Sequence, residues 1–260
     1  MSYLFPRAAA KTAMRVYSTP RAGRLSWEQG NYLSSATQQP LMYNDLQIMS
    51  YLWPGREKTI LLAHGWESNS SRWQSMITKL KETGYSVVAI DAPAHGRSGG
   101  KIFNGILYAE FIKVAAEFYD PSIIIGHSVG GMSMIYSHYK YPMPNLEKIV
   151  LLAAPSEFNH LLSNYKKIMG YNDRVISAIG NLIHERFGIT PDEFSVSNFV
   201  ASLKLEGLII HDMDDDIIDY TQSVAIASSL TKSTLIATEA MGHSINTPEV
   251  NQYVYDFVKA

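Results

Sequence analysis

The sequence predicts an α/β fold in which helices flank a mostly parallel central sheet. Short, continuously apolar runs such as Thr59–Ala63 and Ser86–Ile90 recur along the chain, and such runs are typical of parallel strands that are covered on both faces. Segments with helical apolar spacing separate these runs, which predicts strand–helix–strand crossovers. A third apolar run, 123–125, leads into Gly-His-Ser-Val-Gly directly before a helical segment. This arrangement predicts a serine in a sharp turn between a strand and a helix.

The elements can be assigned in order along the chain. Residues 1–40 contain scattered proline and glycine, and they predict an irregular or helical N-terminal arm. Strands follow at one or two places within 41–53, then at 59–63, 86–90, 123–125, 147–153, 205–210 and 233–237. Helices are predicted at 71–83, 105–119, 132–140, 221–230 and 248–258.

The N-terminal arm is basic, because five arginines and lysines precede the first acidic residue, Glu28. Within the arm, 8–17 has the pattern of an amphipathic helix. A transit peptide has a similar composition. We interpret the stretch as a basic surface arm, with the transit peptide as the alternative.

One interval interrupts the alternation of strands and helices. Residues 156–203 carry apolar side chains at three- and four-residue steps but contain no strand pattern. We expect a helical cap here, inserted after the strand that ends near Ala153, with a core formed by 41–155 and 204–260. Ligands of open parallel sheets bind outside the carboxyl ends of the strands, so such a cap would cover the site. The alternative is that these helices extend the core.

The composition limits the classes of function that the chain could have. The 260 residues are 46% hydrophobic and 18% charged, which is typical of a globular protein. The net charge of −2 gives no support to nucleic-acid binding, and no apolar run approaches the ~20 residues that cross a bilayer. The absence of cysteine excludes disulfides, thiolate metal sites and a cysteine nucleophile. We therefore expect a cytoplasmic protein that acts on a small molecule, and no feature predicts an oligomeric state.

Ser128 is the candidate nucleophile. Gly126 and Gly130 lie two residues to either side of it, where larger side chains would collide in so tight a turn, and the turn exposes the hydroxyl in front of a helix N-terminus. A serine hydroxyl is a weak nucleophile that needs an adjacent base, which a third group orients.

His243 is the candidate base. It lies in a loop after the last predicted strand and before the last helix, at the carboxyl edge of the sheet. Of the other late histidines, His160 and His184 fall in the predicted cap helices, and His211 ends a strand. These positions favour surface or structural roles.

The candidate acids follow His211, in a segment with four aspartates within five residues. A calcium loop of the EF-hand type requires glycine at its sixth position and glutamate at its twelfth. Counted from Asp212, these positions hold Ile217 and Ser223, so the metal interpretation fails. Spacing alone does not decide which aspartate meets His243.

Four motifs in this order resemble the α/β-hydrolases. They span about 64–244 and are His64-Gly65-Trp66, the segment 91–98, the Gly126 to Gly130 turn, and His211 to Asp215 with Gly242-His243. The resemblance implies an α/β-hydrolase fold with a helical cap.

The resemblance also implies the identity of the acid. In the family it usually lies four residues after the histidine of His-Gly-x-x-Asp-x-x-Val, which is Asp215 here, with Ile218 in the valine position. The chain departs from the pattern at Asp212, where the family more often has glycine. Asp214 and Asp216 are the neighbouring alternatives, and Glu157 occupies a position that some relatives use for the acid.

The remaining site residues are likewise implied by the resemblance. The oxyanion hole would consist of the backbone N–H groups of Trp66 and Val129. Trp66 would also form a wall of the substrate pocket. Independently of the resemblance, the apolar residues of the predicted cap add Phe158 and Leu162 to this pocket. His64, His95 and His127 would be structural.

These residues together predict a serine hydrolase that cleaves a carboxylic ester, thioester or related acyl bond through an acyl-serine intermediate. Such chemistry requires no cofactor and no metal. The same three side chains would also suit a C–C bond hydrolase, a cofactor-free haloperoxidase or a lyase. A ligand-binding or signalling protein that retains the residues without turnover is the alternative from a different class.

Overall fold

The computed structural model describes residues 5–260, and within them an eight-stranded sheet forms the centre of the molecule. The strands follow the order β1-β2-β4-β3-β5-β6-β7-β8. β1 and β4 pair with β2 in antiparallel fashion, and all other pairs are parallel. The strands are β1 (Thr37–Tyr43), β2 (Leu46–Trp53), β3 (Thr59–Ala63), β4 (Ser86–Ile90), β5 (Ile123–His127), β6 (Lys148–Leu152), β7 (Glu206–Asp212) and β8 (Lys232–Thr238). The predicted α/β fold with a mostly parallel sheet is confirmed.

Helices cover both faces of the sheet. They are α1 (Pro6–Ser18), α2 (Trp27–Leu33), α3 (Gln74–Leu80), α4 (Gly105–Tyr119), α5 (Val129–Lys140), α6 (Phe158–Met169), α7 (Asp173–Phe187), α8 (Val196–Val200), α9 (Thr221–Ser229) and α10 (Pro248–Lys259). Short 3₁₀ turns, Ser70–Trp73 and Lys81–Thr83, flank α3. No helix within residues 5–260 is long and apolar enough to cross a membrane.

Alternation along the strands produces two apolar layers. In β3, Leu61 contributes to the layer beneath α4, α5 and α9, whereas Ile60 and Leu62 contribute to the layer beneath α3 and α10. All three side chains are fully buried. Strands that are buried on both faces have no polar face, which is why they are continuously apolar in the sequence.

The segment predicted as an N-terminal arm contains regular elements. Residues 1–4 of that segment lie outside the described residues, and the rest forms α1, α2 and the first residues of β1, which begins at Thr37. α1 packs with α6 and α7 in a third apolar cluster, where Ala10 and Ala13 are completely buried. The 156–203 interval contributes α6, α7 and α8 between β6 and β7. α1 therefore shares an apolar layer with the helices of that interval.

Two glycines permit the close packing around Ser128. A Cβ atom on Gly130 would lie 2.4 Å from the carbonyl oxygens of both Ala63 and His64, and one on Gly126 would lie 2.4 Å from the Cα of Gly131. Only a hydrogen fits at these distances, so α5 can approach the end of β3 only with glycine at position 130.

We expect Gly130→Ala to lower the free energy of unfolding by about 2 kcal/mol or more, because backbone atoms must move to admit the methyl group. Gly180→Ala is the control. Gly180 lies inside α7, and its added Cβ would meet Pro191 at an ordinary 3.6 Å. There we expect a gain of roughly 0.5–1 kcal/mol from helix propensity. Urea denaturation measures the free energy of unfolding of both variants, and equal values for the two would contradict the packing argument.

Candidate active site

Ser128 lies at the apex of the turn between β5 and α5. Its backbone adopts φ 53° and ψ −131°, a conformation that costs roughly 1–3 kcal/mol for a residue other than glycine. Its N–H donates to the carbonyl of Leu152 on the neighbouring strand at 2.8 Å, which helps to hold the turn. The hydroxyl consequently projects beyond the carboxyl edge of the sheet, at the first turn of α5.

The structure brings Ser128, His243 and Asp215 together. Nε2 of His243 lies 3.0 Å from Oγ of Ser128, and Nδ1 lies 2.7 Å from Oδ2 of Asp215. The Asp215 side chain is fully buried and that of His243 is 21% exposed. With Asp215 ionised, Nδ1 carries the proton and donates it, so Nε2 is left to accept a hydrogen bond from the Ser128 hydroxyl.

The other candidate acids are engaged elsewhere. Asp214 accepts a hydrogen bond from the N–H of Ala240 at 3.0 Å. Glu157 accepts from the hydroxyls of Ser156 and Ser195 at 2.6 and 2.7 Å. Asp216 is exposed. Of the acids considered from the sequence, Asp215 is thus the one that contacts His243.

The environment of Asp215 favours its charged form. Burial alone would raise the pKa of Asp215, but hydrogen bonds from His211, His243 and the N–H of Ile218 outweigh it and hold that pKa well below the usual range of a carboxyl. His211 lies 3.1 Å from Oδ2 through Nε2 and contacts Ser223 Oγ through Nδ1 at 2.6 Å. His211, which the sequence indicated only as a structural strand end, therefore helps to fix the carboxylate.

Asp212 anchors the loop that carries His243. Its buried carboxylate accepts hydrogen bonds from the N–H groups of Met241 and Gly242, each at 3.1 Å, and from the hydroxyl of Thr238 at 2.8 Å. Burial would raise the pKa of Asp212, yet these donors lower it below the ordinary value. In the sequence this residue was notable only as a departure from the family pattern, and its anchoring contacts were not predicted.

Asp212→Ala should destabilise the protein by about 3 kcal/mol, because it leaves three backbone N–H groups, those of Asp214, Met241 and Gly242, and the buried Thr238 hydroxyl without their acceptor. Asp216→Ala removes the same charge from an exposed position and should change the free energy of unfolding by less than about 0.5 kcal/mol. Since folding lowers the pKa of Asp212, its contribution is complete above the unfolded-state value of about 3.9 and declines as the pH falls below it. Denaturation at pH 7 and pH 3 measures the difference in free energy of unfolding between the unaltered protein and Asp212→Ala. The same difference at both pH values would contradict the prediction.

A second set of contacts holds the His243 loop from the opposite side. The buried guanidinium of Arg72 contacts Nδ1 of His127 and donates to the carbonyl of Ser244 at 3.0 Å. Arginine only donates, so the proton of His127 lies on Nε2, which donates to the carbonyl of His243 at 2.9 Å. Burial and the adjacent Arg72 lower the pKa of His127, and burial lowers that of Arg72 to about 10. Nothing in the sequence singled out Arg72.

The backbone of the His64-Gly65-Trp66 loop passes directly beside Ser128. A Cβ on Gly65 would lie 3.1 Å from the Cβ of Ser128 and 2.9 Å from Nδ1 of His127. The His64 ring holds the loop by accepting the N–H of Ala92 at 2.9 Å. Val129 is the first residue of α5, so its N–H has no acceptor within the helix. These two backbone segments are where the resemblance to the α/β-hydrolases implies the donors of an oxyanion hole.

An apolar cavity of about 410 Å³ opens above Ser128 and His243. Trp66, Phe158 and Leu162, the pocket residues expected from the sequence, all line it. The lining also includes Met14 and Tyr17 of α1, which were not predicted to approach the site. Tyr17 lies 4.3 Å, ring centre to ring centre, from Tyr165 of α6.

Glu67 is the one carboxylate among the described residues that line the cavity. Its Oε1 accepts the backbone N–H of Arg21 at 2.8 Å and lies 3.6 Å from the Arg21 guanidinium. The carboxylate therefore already accepts one hydrogen bond and lies near an exposed cation of the chain.

Comparisons with known proteins agree with this architecture. The family model described as serine aminopeptidase, S33, matches residues 55–187, just over half of the chain. A bifunctional esterase/perhydrolase of Acinetobacter calcoaceticus is 30% identical over 106 residues, which are 39% of this chain and 38% of that protein. A monoacylglycerol lipase of Mycolicibacterium smegmatis is 32% identical over 92 residues, or 32% and 33% of the two chains. The matched parts span less than half the length of these curated relatives.

Among solved structures, a bromoperoxidase from Bacillus anthracis superposes with a TM-score of 0.68 at 18% identity. The match covers 86% of this chain and all of that one. At this level of identity the likeness shows a shared fold.

Proposed function

The chain belongs to the α/β-hydrolase family described as serine aminopeptidase, S33, and from this premise we propose that it hydrolyses a carboxylic ester of a small, partly apolar substrate. The observation that carries the proposal is the continuous set of contacts from Asp215 through His243 to Ser128 at the base of an apolar cavity. The esterase and lipase names of two relatives support ester substrates. No cofactor or metal takes part in the proposed steps.

The mechanism proceeds in two halves. His243 Nε2 removes the hydroxyl proton as Ser128 Oγ attacks the ester carbonyl, and Asp215 stabilises the imidazolium that results. The N–H groups of Trp66 and Val129 hold the oxyanion. His243 then gives its proton to the leaving alcohol, and an acyl-serine remains. Water, deprotonated by His243, attacks this acyl group and releases the acid, which restores the serine.

An ester is favoured over a peptide with a free amino terminus. An aminopeptidase must bind a positively charged amine, and a buried charge requires an opposite charge nearby. Glu67 is the one carboxylate among the described lining residues, and its Oε1 already accepts the N–H of Arg21 near the exposed Arg21 guanidinium. The cavity thus offers a mostly apolar surface and only this one carboxylate to an ammonium group.

The test is hydrolysis of a series of p-nitrophenyl esters from acetate to laurate, compared with leucine p-nitroanilide. One carbon atom fills roughly the volume share of a water molecule, about 30 Å³, so a cavity of about 410 Å³ accommodates an apolar group of about a dozen atoms. We expect kcat/KM to rise up to medium chains, and a fluorophosphonate to label Ser128. Absence of both turnover and labelling would refute the esterase proposal, and faster cleavage of the anilide would favour the aminopeptidase.

The pH dependence should show a single protonation on the acid side. Attack needs neutral His243, so its protonation should stop the reaction. The structure holds the pKa of Asp215 well below the usual range of a carboxyl, so the acid remains ionised and adds no second titration. A plot of log kcat/KM against pH should therefore fall with a slope of one. A slope of two would contradict these roles.

We also propose the division into an arm (1–40), a core (41–155 and 204–260) and a cap (156–203). The contacts of α1 with α7 support a joint cover over the cavity, since both helices contribute lining residues. The cytoplasmic location predicted from the absence of cysteine remains a prediction.

A further inference from the structure

A second groove, of about 490 Å³, lies beside the apolar cavity and is lined mainly by residues of α1 and α7. Met14, Ser18, Asn104 and Phe187 line both spaces. The two spaces are therefore adjacent, and we call the second one the basic groove after the residues described next.

Cations dominate the basic groove. Arg7, Lys11 and Arg15 follow one another at four-residue steps, which places them on one face of α1. Arg186, in the last turn of α7, adds a fourth positive charge. Among the described residues that line the groove, the acidic one is Glu185, and it pairs with Arg7 at 2.7 Å.

This row of charges is unfavourable for α1 itself. Like charges four residues apart on a helix repel each other, and Arg7 in the first turn opposes the helix dipole. Arg15 and Arg186 have a local reason, since each lies in the last turn of its helix, where a cation is favoured. Lys11 has none in the geometry of α1. The chain as a whole is slightly acidic, with a net charge of −2. An anion in the groove would relieve the repulsion along α1.

We propose that the substrate is an amphiphile, with its apolar part in the cavity above Ser128 and an anionic group, a carboxylate or a phosphate, in the basic groove. The ester part of this inference rests on the proposed function. The anionic part rests on the charge of the groove and on its position beside the cavity, with which it shares lining residues. Arginine and lysine both bind carboxylate and phosphate, so the two groups share one recognition chemistry.

The kinetic experiment compares three substrates of similar chain length: neutral p-nitrophenyl octanoate, the mono-p-nitrophenyl ester of sebacic acid, and octanoyl-coenzyme A. We expect at least one anionic substrate to exceed the neutral ester in kcat/KM, by roughly tenfold at low ionic strength, and the advantage to shrink in 0.5 M salt. Preference for the sebacate monoester places the anion at the far end of the acyl group. Preference for the coenzyme A thioester places it on the leaving group.

Charge reversal in the groove supplies the decisive comparison. Lys11→Glu and Arg15→Glu should each lower the ratio of anionic to neutral kcat/KM by roughly fivefold. Lys232→Glu makes the same change of net charge at the start of β8, at the opposite edge of the sheet, and should leave the ratio within twofold. Equal ratios in all three variants would overturn the proposal.

A binding experiment tests the groove even if the protein hydrolyses no ester. Ser128→Ala protein should bind n-decyl phosphate more tightly than n-decanol, by roughly tenfold, in isothermal titration calorimetry, and Lys11→Glu should remove the difference. Tight binding of n-decyl phosphate by the Ser128→Ala protein, together with no ester hydrolysis by the unaltered protein, would refute the esterase proposal but support the groove. Equal binding of the two amphiphiles would overturn the groove. A third result would also overturn the groove: the protein binds phosphatidylglycerol vesicles, and Lys11→Glu changes the binding of neither n-decyl phosphate nor n-decanol. That result would assign the charges to a membrane surface.

Discussion

Ser128→Ala should lower kcat for p-nitrophenyl ester hydrolysis by about 10⁴-fold or more, because no other group can form the acyl intermediate. Removal of a nucleophilic serine leaves only the oxyanion donors and substrate binding, which still supply a residual ~10³–10⁴-fold over water. The fold should persist, since alanine fits the space and keeps the backbone N–H that donates to Leu152. Steady-state kinetics and circular dichroism measure the two effects.

Ser133→Ala is the matched control. Ser133 lies one and a half turns further along α5 and is fully buried. Its hydroxyl has no hydrogen-bond partner among the described residues, so its removal should leave kcat within twofold and the free energy of unfolding unchanged or slightly raised. Turnover that survives Ser128→Ala would instead show that another residue attacks the ester.

The elements around the site could be predicted because their signals are local. The predicted helix 105–119 coincides with α4, which has capping residues at both ends. The Asn104 side chain accepts the N–H of Leu107 at the start, and Asp120 adopts a left-handed conformation at the end. The buried strands were predictable for a similar reason, since both of their faces are apolar.

β1 was less accessible to sequence analysis. It starts at Thr37, inside the segment that was interpreted as an arm, and its residues are mostly exposed or half-buried. An edge strand pairs on one side only and needs no continuous apolar run, and it tolerates a proline such as Pro40. Its pairing with β2 is what defines it, and pairing is not visible in composition.

The supports of the site depend on contacts that are distant in sequence. Asp212 meets Met241 and Gly242, and Arg72 meets Ser244. Spacing cannot reveal these contacts, because they form only when separate loops converge at one edge of the sheet. The approach of α1 to the cavity has the same origin, since the Tyr165 hydroxyl donates to the carbonyl of Ala13 from a helix far along the chain.

Asp215→Asn should lower kcat by about 10⁴-fold, as expected when the group that orients the base loses its charge. An amide side chain can donate to Nδ1 of His243, which would place the imidazole proton on Nε2 and remove the acceptor for Ser128. It also cannot balance the imidazolium that forms during attack. The hydrogen bonds that Oδ1 accepts from the N–H groups of Ile217 and Ile218 at 2.9 Å can remain, so the protein should still fold. Its stability should fall, because an amide nitrogen in the place of Oδ2 cannot accept the hydrogen bond of His211.

Asp216→Asn makes the same chemical change one residue away, on an exposed side chain, and should keep kcat within twofold. The pair therefore separates the position of the carboxylate from the charge of the loop. A comparable loss in both variants would mean that the acidic turn acts through its overall field. A loss confined to Asp215→Asn, with an intact thermal transition, would assign the effect to the 2.7 Å contact with His243.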